Sequence, residues 1–488
     1  MQLLGDDMRV SLLSASHRRS WTRAAASAVA LTIGSTGLAY AADAAAKPPE
    51  PPPPGICDAQ PSITTSIAIP VAGDIKKYLC DHGINFQVNY IGEVFGNPTG
   101  GIKQGARYEQ RVELGLDADL DKLAGLKGLT FHVNGYSIAG QSVTTYNLLN
   151  YSAISNIAAH PALLLFELWA EQKLFDDKVA IRIGQLAADS EFFISEFGGL
   201  YTNSTFGWPN PMAVNLPSGG PAYPFATPAV RIKYNPIDSV TLMGAVFNGD
   251  PTGAGFTGEV YQNDPSGTDF RLKDSPFVIG EGAYAYNQEK EGTGLAGTLK
   301  LGGWYHFGNF DSQHFDTNNV SLASPDSNGI AKQIRGDWGL YGILDQMVWR
   351  LPGDDPKKGV GVFARVTGAP NFQNTMNFYV DGGVNFMGLW SARPDDSFGL
   401  AVAYSEISPS ARAFDQETAV FSGTYMPSRN YEVALELTYS AQIIPGFTIQ
   451  PDFQYIFHPG ANAANPLDPN NAPIPDAAVF GVRSVIRF

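Results

Sequence analysis

The sequence predicts an all-β protein: a closed antiparallel transmembrane β-barrel of about 16 strands, with an inward-folded loop and a short N-terminal periplasmic segment. Three observations predict it. Strand-like runs alternate with a period of two over lengths that suit a membrane span. Charged residues are sparse, at 16%, yet gather on one face of those runs. The chain begins like an exported protein but has no apolar run of the roughly 18 residues that a spanning helix needs.

The run at 107–120 is the clearest. Tyr108, Gln110, Val112, Leu114, Leu116, Ala118 and Leu120 share one face; Arg107, Glu109, Arg111, Glu113, Asp117 and Asp119 share the other. So many charges do not fit a protein core, and so apolar a face does not fit water. Lipid on one side and a water-filled lumen on the other satisfies both. The run also exceeds the roughly 5 to 6 residues usual in a soluble sandwich.

A partner strand is expected over 123–136. Val230, Ile232 and Tyr234 oppose Arg231 and Lys233. Val360, Val362, Ala364 and Val366 oppose Phe363, Arg365 and Thr367. Tyr431, Val433, Leu435, Leu437 and Tyr439 oppose Glu432, Glu436 and Thr438. The last run, 479–488, puts Phe480, Val482, Ser484, Ile486 and Phe488 opposite Arg483 and Arg487. Exporting about 440 residues, at roughly 25 per strand and connection, leaves room for about 16 to 18 strands. A barrel of that size leaves an aqueous channel.

Residues 166–228 stand apart. Two strand-like runs meet at an Asp176-Asp177 turn and feed a Pro- and Gly-rich segment dense in aromatics. This segment is expected to fold toward the lumen, with Phe206, Trp208, Tyr223 and Phe225 as constriction-loop candidates.

The N-terminus reads as an export signal over 1–41. Arg18, Arg19 and Arg23 precede a short small-residue stretch, and Ala39-Tyr40-Ala41 fits a cleavage site. Residues 42–72 form a leader whose run of prolines favours the extended polyproline II state. Residues 73–83 form a short helix-like periplasmic element, with Ile75, Tyr78 and Leu79 on one side of a helix over 74–81; the barrel domain takes 84–488. The two cysteines, Cys57 and Cys80, form a candidate disulfide, which an exporting route permits.

The formal net charge of −15 disfavours a nucleic-acid partner. The seven His are scattered, so no metal cluster or Ser/His/Asp set is visible, and no cofactor or metal is expected. Gly292-Thr293-Gly294-Leu295-Ala296-Gly297 matches GxGxxG, but no crossover unit surrounds it, and it reads as a turn.

The positive signal is the inward face. Arg107, Glu109, Arg111, Glu167, Trp169, Glu171, Lys173, Arg182, Arg231 and Lys233 are all expected to point into the lumen. Guanidinium and carboxylate groups hydrogen-bond vicinal hydroxyls, and an aromatic face stacks on a pyranose. Such a wall suits weak, multi-site passage of neutral sugars. On residue types alone, a general diffusion pore reads equally well. A third reading, from another class, makes Glu167 and Glu171 the carboxylate pair of a glycan hydrolase.

Several motifs tip this balance. Phe166-Glu167-Leu168-Trp169, Ile183-Gly184-Gln185-Leu186, Asp189-Ser190-Glu191-Phe192-Phe193, Leu216-Pro217-Ser218-Gly219-Gly220-Pro221 and Phe225-Ala226-Thr227-Pro228 resemble the carbohydrate-selective outer-membrane porins of the OprB type. Tyr90-Ile91-Gly92-Glu93 and Leu120-Asp121-Lys122-Leu123 are similar to that family as well. The likeness spans 73–488 and is densest up to 234. One departure lies at Gly73-Asp74-Ile75-Lys76-Lys77, where the family carries a Trp-Gly-Gly-type stretch. The resemblance implies a 16-stranded barrel, a loop inside it, and passive uptake of glucose and other small sugars, with no catalysis. It also implies a Gram-negative outer membrane, with its lipids and lipopolysaccharide as surroundings. The terminal strand ending in Phe488 resembles the signal read by the barrel-assembly machinery. Single barrels and homotrimers are both compatible with the sequence.

Overall fold

A computed structural model of the chain describes residues 63, 70–253, 260–288, 294–353, 355 and 357–488. The expected signal peptide, most of the proline-rich leader and Cys57 lie outside the described residues. Sixteen antiparallel strands close into one barrel, each paired with its sequence neighbours. The first eight are β1 (Ile84–Thr99), β2 (Gly105–Asp119), β3 (Leu129–Gly140), β4 (Ala162–Leu174), β5 (Val179–Leu186), β6 (Thr227–Ile237), β7 (Val240–Asn248) and β8 (Pro276–Tyr286). The rest are β9 (Gly297–Asp316), β10 (Ala331–Arg350), β11 (Gly359–Gly368), β12 (Met376–Met387), β13 (Ser397–Ile407), β14 (Tyr431–Ile444), β15 (Phe447–Phe457) and β16 (Ala477–Arg487).

The ring is sealed where β1 meets β16, in register from Asn89↔Arg487 to Gly96↔Phe480. Phe488 N donates to Val88 O at 2.9 Å, completing the seam. Short turns crowd the end that holds Phe488, and the long connections lie at the other. Helix α1 (Pro70–Asp81) lies at that end, where Lys76 Nζ donates to Phe488 O at 3.0 Å. It begins earlier than the expected 74–81, because Pro70 suits a first helical turn that leaves its N–H free anyway. Cys80, on α1, is disulfide-bonded. No helix among the described residues is long and apolar enough to cross a membrane, which says nothing of a barrel.

The period-two faces are those expected. Leu114, Ile183, Leu301 and Leu340 are exposed on the outer wall, while Glu432 and Glu436 are fully buried inside it. Two local expectations fail. Residues 123–128 are not strand: Asp119 caps a short helix, α2 (Leu120–Ala124), by accepting from Asp121 N and Lys122 N. Gly125, at φ 70°, ends that helix, and β3 starts only at Leu129. A carboxylate at the N-cap outweighs the apolar alternation there.

The second departure is a bulge in β4. Val133 pairs with Leu168 but Gly135 with Leu165, so one extra β4 residue is accommodated. Phe166 and Glu167 both end up buried, and Glu167 N donates to Asn134 Oδ1 at 2.9 Å. Below the bulge, Glu167, Trp169 and Glu171 share the inner face as expected; above it the parity reverses and Leu164 turns inward. The β4–β5 turn holds Phe175, Asp176 and Asp177 at positive φ, a conformation that aspartate tolerates better than most residues. The GxGxxG stretch connects β8 to β9; its residues 292 and 293 lie outside the described residues.

Candidate functional site

The connection from β5 to β6, residues 187–226, is the inward loop. Its hydrogen bonds reach strands around most of the ring, which a loop can do only by crossing the interior. Near its start, Phe193 N donates to Glu281 on β8 at 3.1 Å, and Ile194 O accepts from Lys300 on β9 at 2.8 Å. Asp345 on β10 accepts from Ser195 Oγ at 2.5 Å and from Glu196 N at 3.3 Å. Asn385 on β12 donates to Phe197 O at 2.7 Å and accepts from the Tyr201 hydroxyl at 2.7 Å. Glu436 on β14 accepts from Thr202 N at 2.6 Å and Asn203 N at 3.0 Å; Gln450 on β15 donates to Leu200 O at 2.8 Å.

These contacts explain the polar inner wall. A buried loop without a ladder still has backbone N–H and C=O groups that need partners. The wall supplies them: carboxylates take the N–H groups, and guanidinium and amide groups take the carbonyls. Arg365 on β11 is the centre of this arrangement. It is fully buried with Asp381 on β12 and donates to Phe193 O at 3.1 Å, Gly207 O at 2.8 Å and Thr205 O at 2.8 Å. The connection 141–161 folds inward too. Tyr151 N and Ser152 N donate to Glu432 at 2.9 and 2.6 Å, and Arg483 on β16 donates to Asn156 at 2.9 Å.

The two loops bury the charged inner faces of β10 to β16, including Asp345, Arg365, Asp381, Glu436 and Arg483. Along β1 to β6 the inner side chains Gln87, Glu113, Asp117, His132, Trp169, Arg182 and Lys233 keep part of their surface. Open space borders that wall, and a further space of about 470 Å³ lies against β9 and β10, lined by Thr298, Asp345, Met347 and Arg350.

Three of the expected inward residues, Glu171, Arg182 and Arg231, meet in one cluster with Glu191. Arg231 donates to Glu171 and to Glu191, both at 2.6 Å. Arg182 lies 3.0 Å from Glu171 and 2.9 Å from Glu191. Two cations and two anions balance, and Glu191 belongs to the loop, so the cluster staples the loop to β4, β5 and β6. The guanidinium of Arg182 lies 3.6 Å from the Trp169 ring centroid, and the His132 ring stacks on Trp169 at 4.8 Å. His132 Nδ1 sits 2.7 Å from Asp117. The result is a ladder, Asp117–His132–Trp169–Arg182–Glu171, across the four neighbouring strands β2 to β5. His132 on β3 and Arg182 on β5 flank the indole from its two neighbouring strands, so Trp169 orients both rather than offering an open face.

The other expected residues divide by role. Arg107 is half-buried and donates to Asn147 at 3.0 Å; Arg111 lies 4.6 Å from the Tyr136 ring and 5.2 Å from Tyr223. Lys233 is half-buried on the inner face of β6. Glu109 and Arg231 are buried, and Glu167 is spent on the loop: it accepts from Ala187 N at 2.9 Å and from Ser190 Oγ at 3.3 Å. Both carboxylates of the imagined hydrolytic pair are thus engaged in internal bonds. Among the constriction-loop aromatics, Phe206 packs against Tyr201 and Phe363, and Phe225 is buried, which makes these two anchors rather than lining. Trp208 and Tyr223 are half-buried, with Trp208 Nε1 donating to Gly219 O and the Tyr223 hydroxyl to Ile157 O. Sequence parity missed Glu191, Asp345, Asp381 and Glu281; the first is in a loop and has no strand face to read. Among the described residues no group of three metal-binding side chains occurs.

The loop carries one pH-sensitive anchor. Asp189 accepts from Tyr223 N at 2.9 Å, and burial, with Glu167 nearby, pushes its carboxyl up to about 7. A carboxyl raised in the folded state contributes stability fully below its ordinary value of about 4, and that contribution is lost as pH rises through about 7. Asp189→Asn keeps an acceptor and removes the charge. The fall in thermal midpoint between about pH 5 and about pH 8 should flatten in this variant, measured by unfolding in detergent; an unchanged fall refutes this assignment.

A closed barrel narrowed by a segment of its own wall defines a porin-type channel. The chain belongs to the carbohydrate-selective porin, OprB family, whose model matches residues 103–488. Porin B of Pseudomonas aeruginosa is 24% identical over 408 residues, covering 80% of this chain and 86% of that protein. The high-pH structure of Pseudomonas putida OprB superposes with a TM-score of 0.73 at 22% identity, covering 86% of this chain and 97% of that one. Its low-pH structure gives 0.50 at 18% identity, with the same coverage. At these identities the likeness to the solved structures concerns the fold.

Proposed function

We propose that this protein is a passive channel for glucose and other small neutral sugars in the outer membrane of a Gram-negative bacterium, reached through an export signal over 1–41. It has no catalytic role, and the concentration gradient drives passage. The observation that carries this reading is the loop 187–226, which narrows the lumen opposite a wall of guanidinium, imidazole, indole and carboxylate groups. Such groups bind hydroxyl-rich solutes at several weak sites, as conduction requires. Family membership supports the same substrate class.

Reconstitution into planar bilayers tests it. Stepwise conductance, partly blocked by millimolar glucose or a related sugar, is expected. Conductance untouched by any sugar would make the protein a general diffusion pore. Reducing-sugar release from a glycan without channels would restore Glu167 and Glu171 as a hydrolytic pair.

A further inference from the structure

One cavity, of about 740 Å³, lies outside the lumen. Its walls include Leu168, Ile183, Val230 and Val246, side chains on the outer face of β4 to β7 near the long-loop end of the barrel. Phe270 and Leu272, from the segment that leads into β8, flank it. Both are exposed, Leu272 by 79%, although neither lies in a strand. A solvent-facing loop rarely spends two large apolar side chains in this way unless something apolar lies against them.

The segment alternates. Phe270 and Leu272 face the groove, while Arg271 turns back to pair with Asp274 at 2.9 Å and lies against Gly253. Lys273 is exposed and makes no ion pair among the described residues. The groove is continuous with the apolar belt below it, where Ile181, Ile232 and Leu242 are exposed on the same strands. In an outer-membrane barrel that belt is covered by acyl chains, and its long-loop end lies in the outer leaflet. An exposed ammonium at the mouth of an apolar slot matches the phosphate of a lipid headgroup.

We propose that this groove is a binding site for one acyl chain of lipopolysaccharide, the phosphorylated outer-leaflet lipid, with its phosphate at Lys273. A slot walled on one side by the barrel and on the other by a loop admits a slender chain from the membrane plane. A second barrel presents a broad convex wall that does not enter it. The site is separate from the lumen and does not depend on which solute the channel passes.

The test uses the full chain extracted from outer membranes in mild detergent, with co-purified lipopolysaccharide quantified by mass spectrometry. Val230→Trp fills the groove, and Leu272→Asp makes its loop side polar without touching a strand. Retained lipopolysaccharide should fall about five-fold in each and less in Lys273→Glu. Leu400→Trp, on the outer face of β13, should leave it unchanged. Equal retention in Val230→Trp and Leu272→Asp, or an equal loss in Leu400→Trp, overturns the proposal. Retention of phospholipid in place of lipopolysaccharide overturns the assignment of the lipid. A shift from oligomer to monomer in Leu272→Asp, with lipid unchanged, would give the groove to a second copy of the chain instead.

Discussion

Arg365→Ala should free the inward loop: single-channel conductance rises and becomes noisy, and the barrel loses about 3–5 kcal/mol of stability. The argument rests on what one guanidinium does. It pairs with buried Asp381, donates to three loop carbonyls, and lies 5.0 Å from the Phe193 ring centroid. Truncation leaves Asp381 buried without its cation and removes the Arg365 donor from Phe193 O and Gly207 O, while Thr205 O keeps the Tyr379 hydroxyl. Both losses are of the costly kind, in which one partner of a buried pair remains. Arg365→Lys should restore little, because a single ammonium cannot span the carboxylate and three carbonyls that a planar fork reaches. Arg365→Leu combined with Asp381→Leu should recover much of the stability but not the closed loop, since Phe193 O and Gly207 O still lack the Arg365 donor. Planar-bilayer conductance and thermal unfolding in detergent check both halves. Wild-type conductance in Arg365→Ala would mean that the other anchors suffice.

The second large effect is expected at Trp169. Trp169→Ala should weaken sugar block roughly tenfold, about 1.4 kcal/mol, while the protein still folds and conducts. The indole is the spacer between His132 and Arg182. Without it, Arg182 has only Glu171 and Glu191 to orient it, and His132 only Asp117. Trp169→Phe keeps a ring between the two and should recover most of the block. A residue with a merely structural role would instead lower stability equally in both variants and leave sugar block at its wild-type strength.

How much of this was legible in the sequence depends on the range of the interaction. Faces of strands are set by neighbours two residues apart, so Arg107, Glu109 and Arg111 on β2 and Phe363, Arg365 and Thr367 on β11 read correctly from alternation alone. The bulge at Glu167 could not be read, because it is fixed by Asn134 on another strand. The strand expected over 123–128 failed for the opposite reason: a single local cap at Asp119 decides it, and periodicity ignores caps. Within the site, Glu171, Arg182 and Arg231 were placed on the inner face, but their common partner Glu191 was not, since loop residues carry no parity. Anchors such as Thr202 to Glu436 join positions more than two hundred residues apart. No local pattern encodes them. What the sequence does show is their residue: carboxylates on a face with more charge than a water-filled channel alone would call for.

The seam between β1 and β16 also sets the order of events in the life of the chain. The partner of β1 is β16, so an open edge of unpaired amides persists until β16 has been made. The inward loop waits as well, because Glu436 and Gln450 leave the ribosome long after residues 187–226. Such distant pairings make for slow folding. Closure therefore comes late: the free edge of β1 and the inward loop both wait on strands β14 to β16.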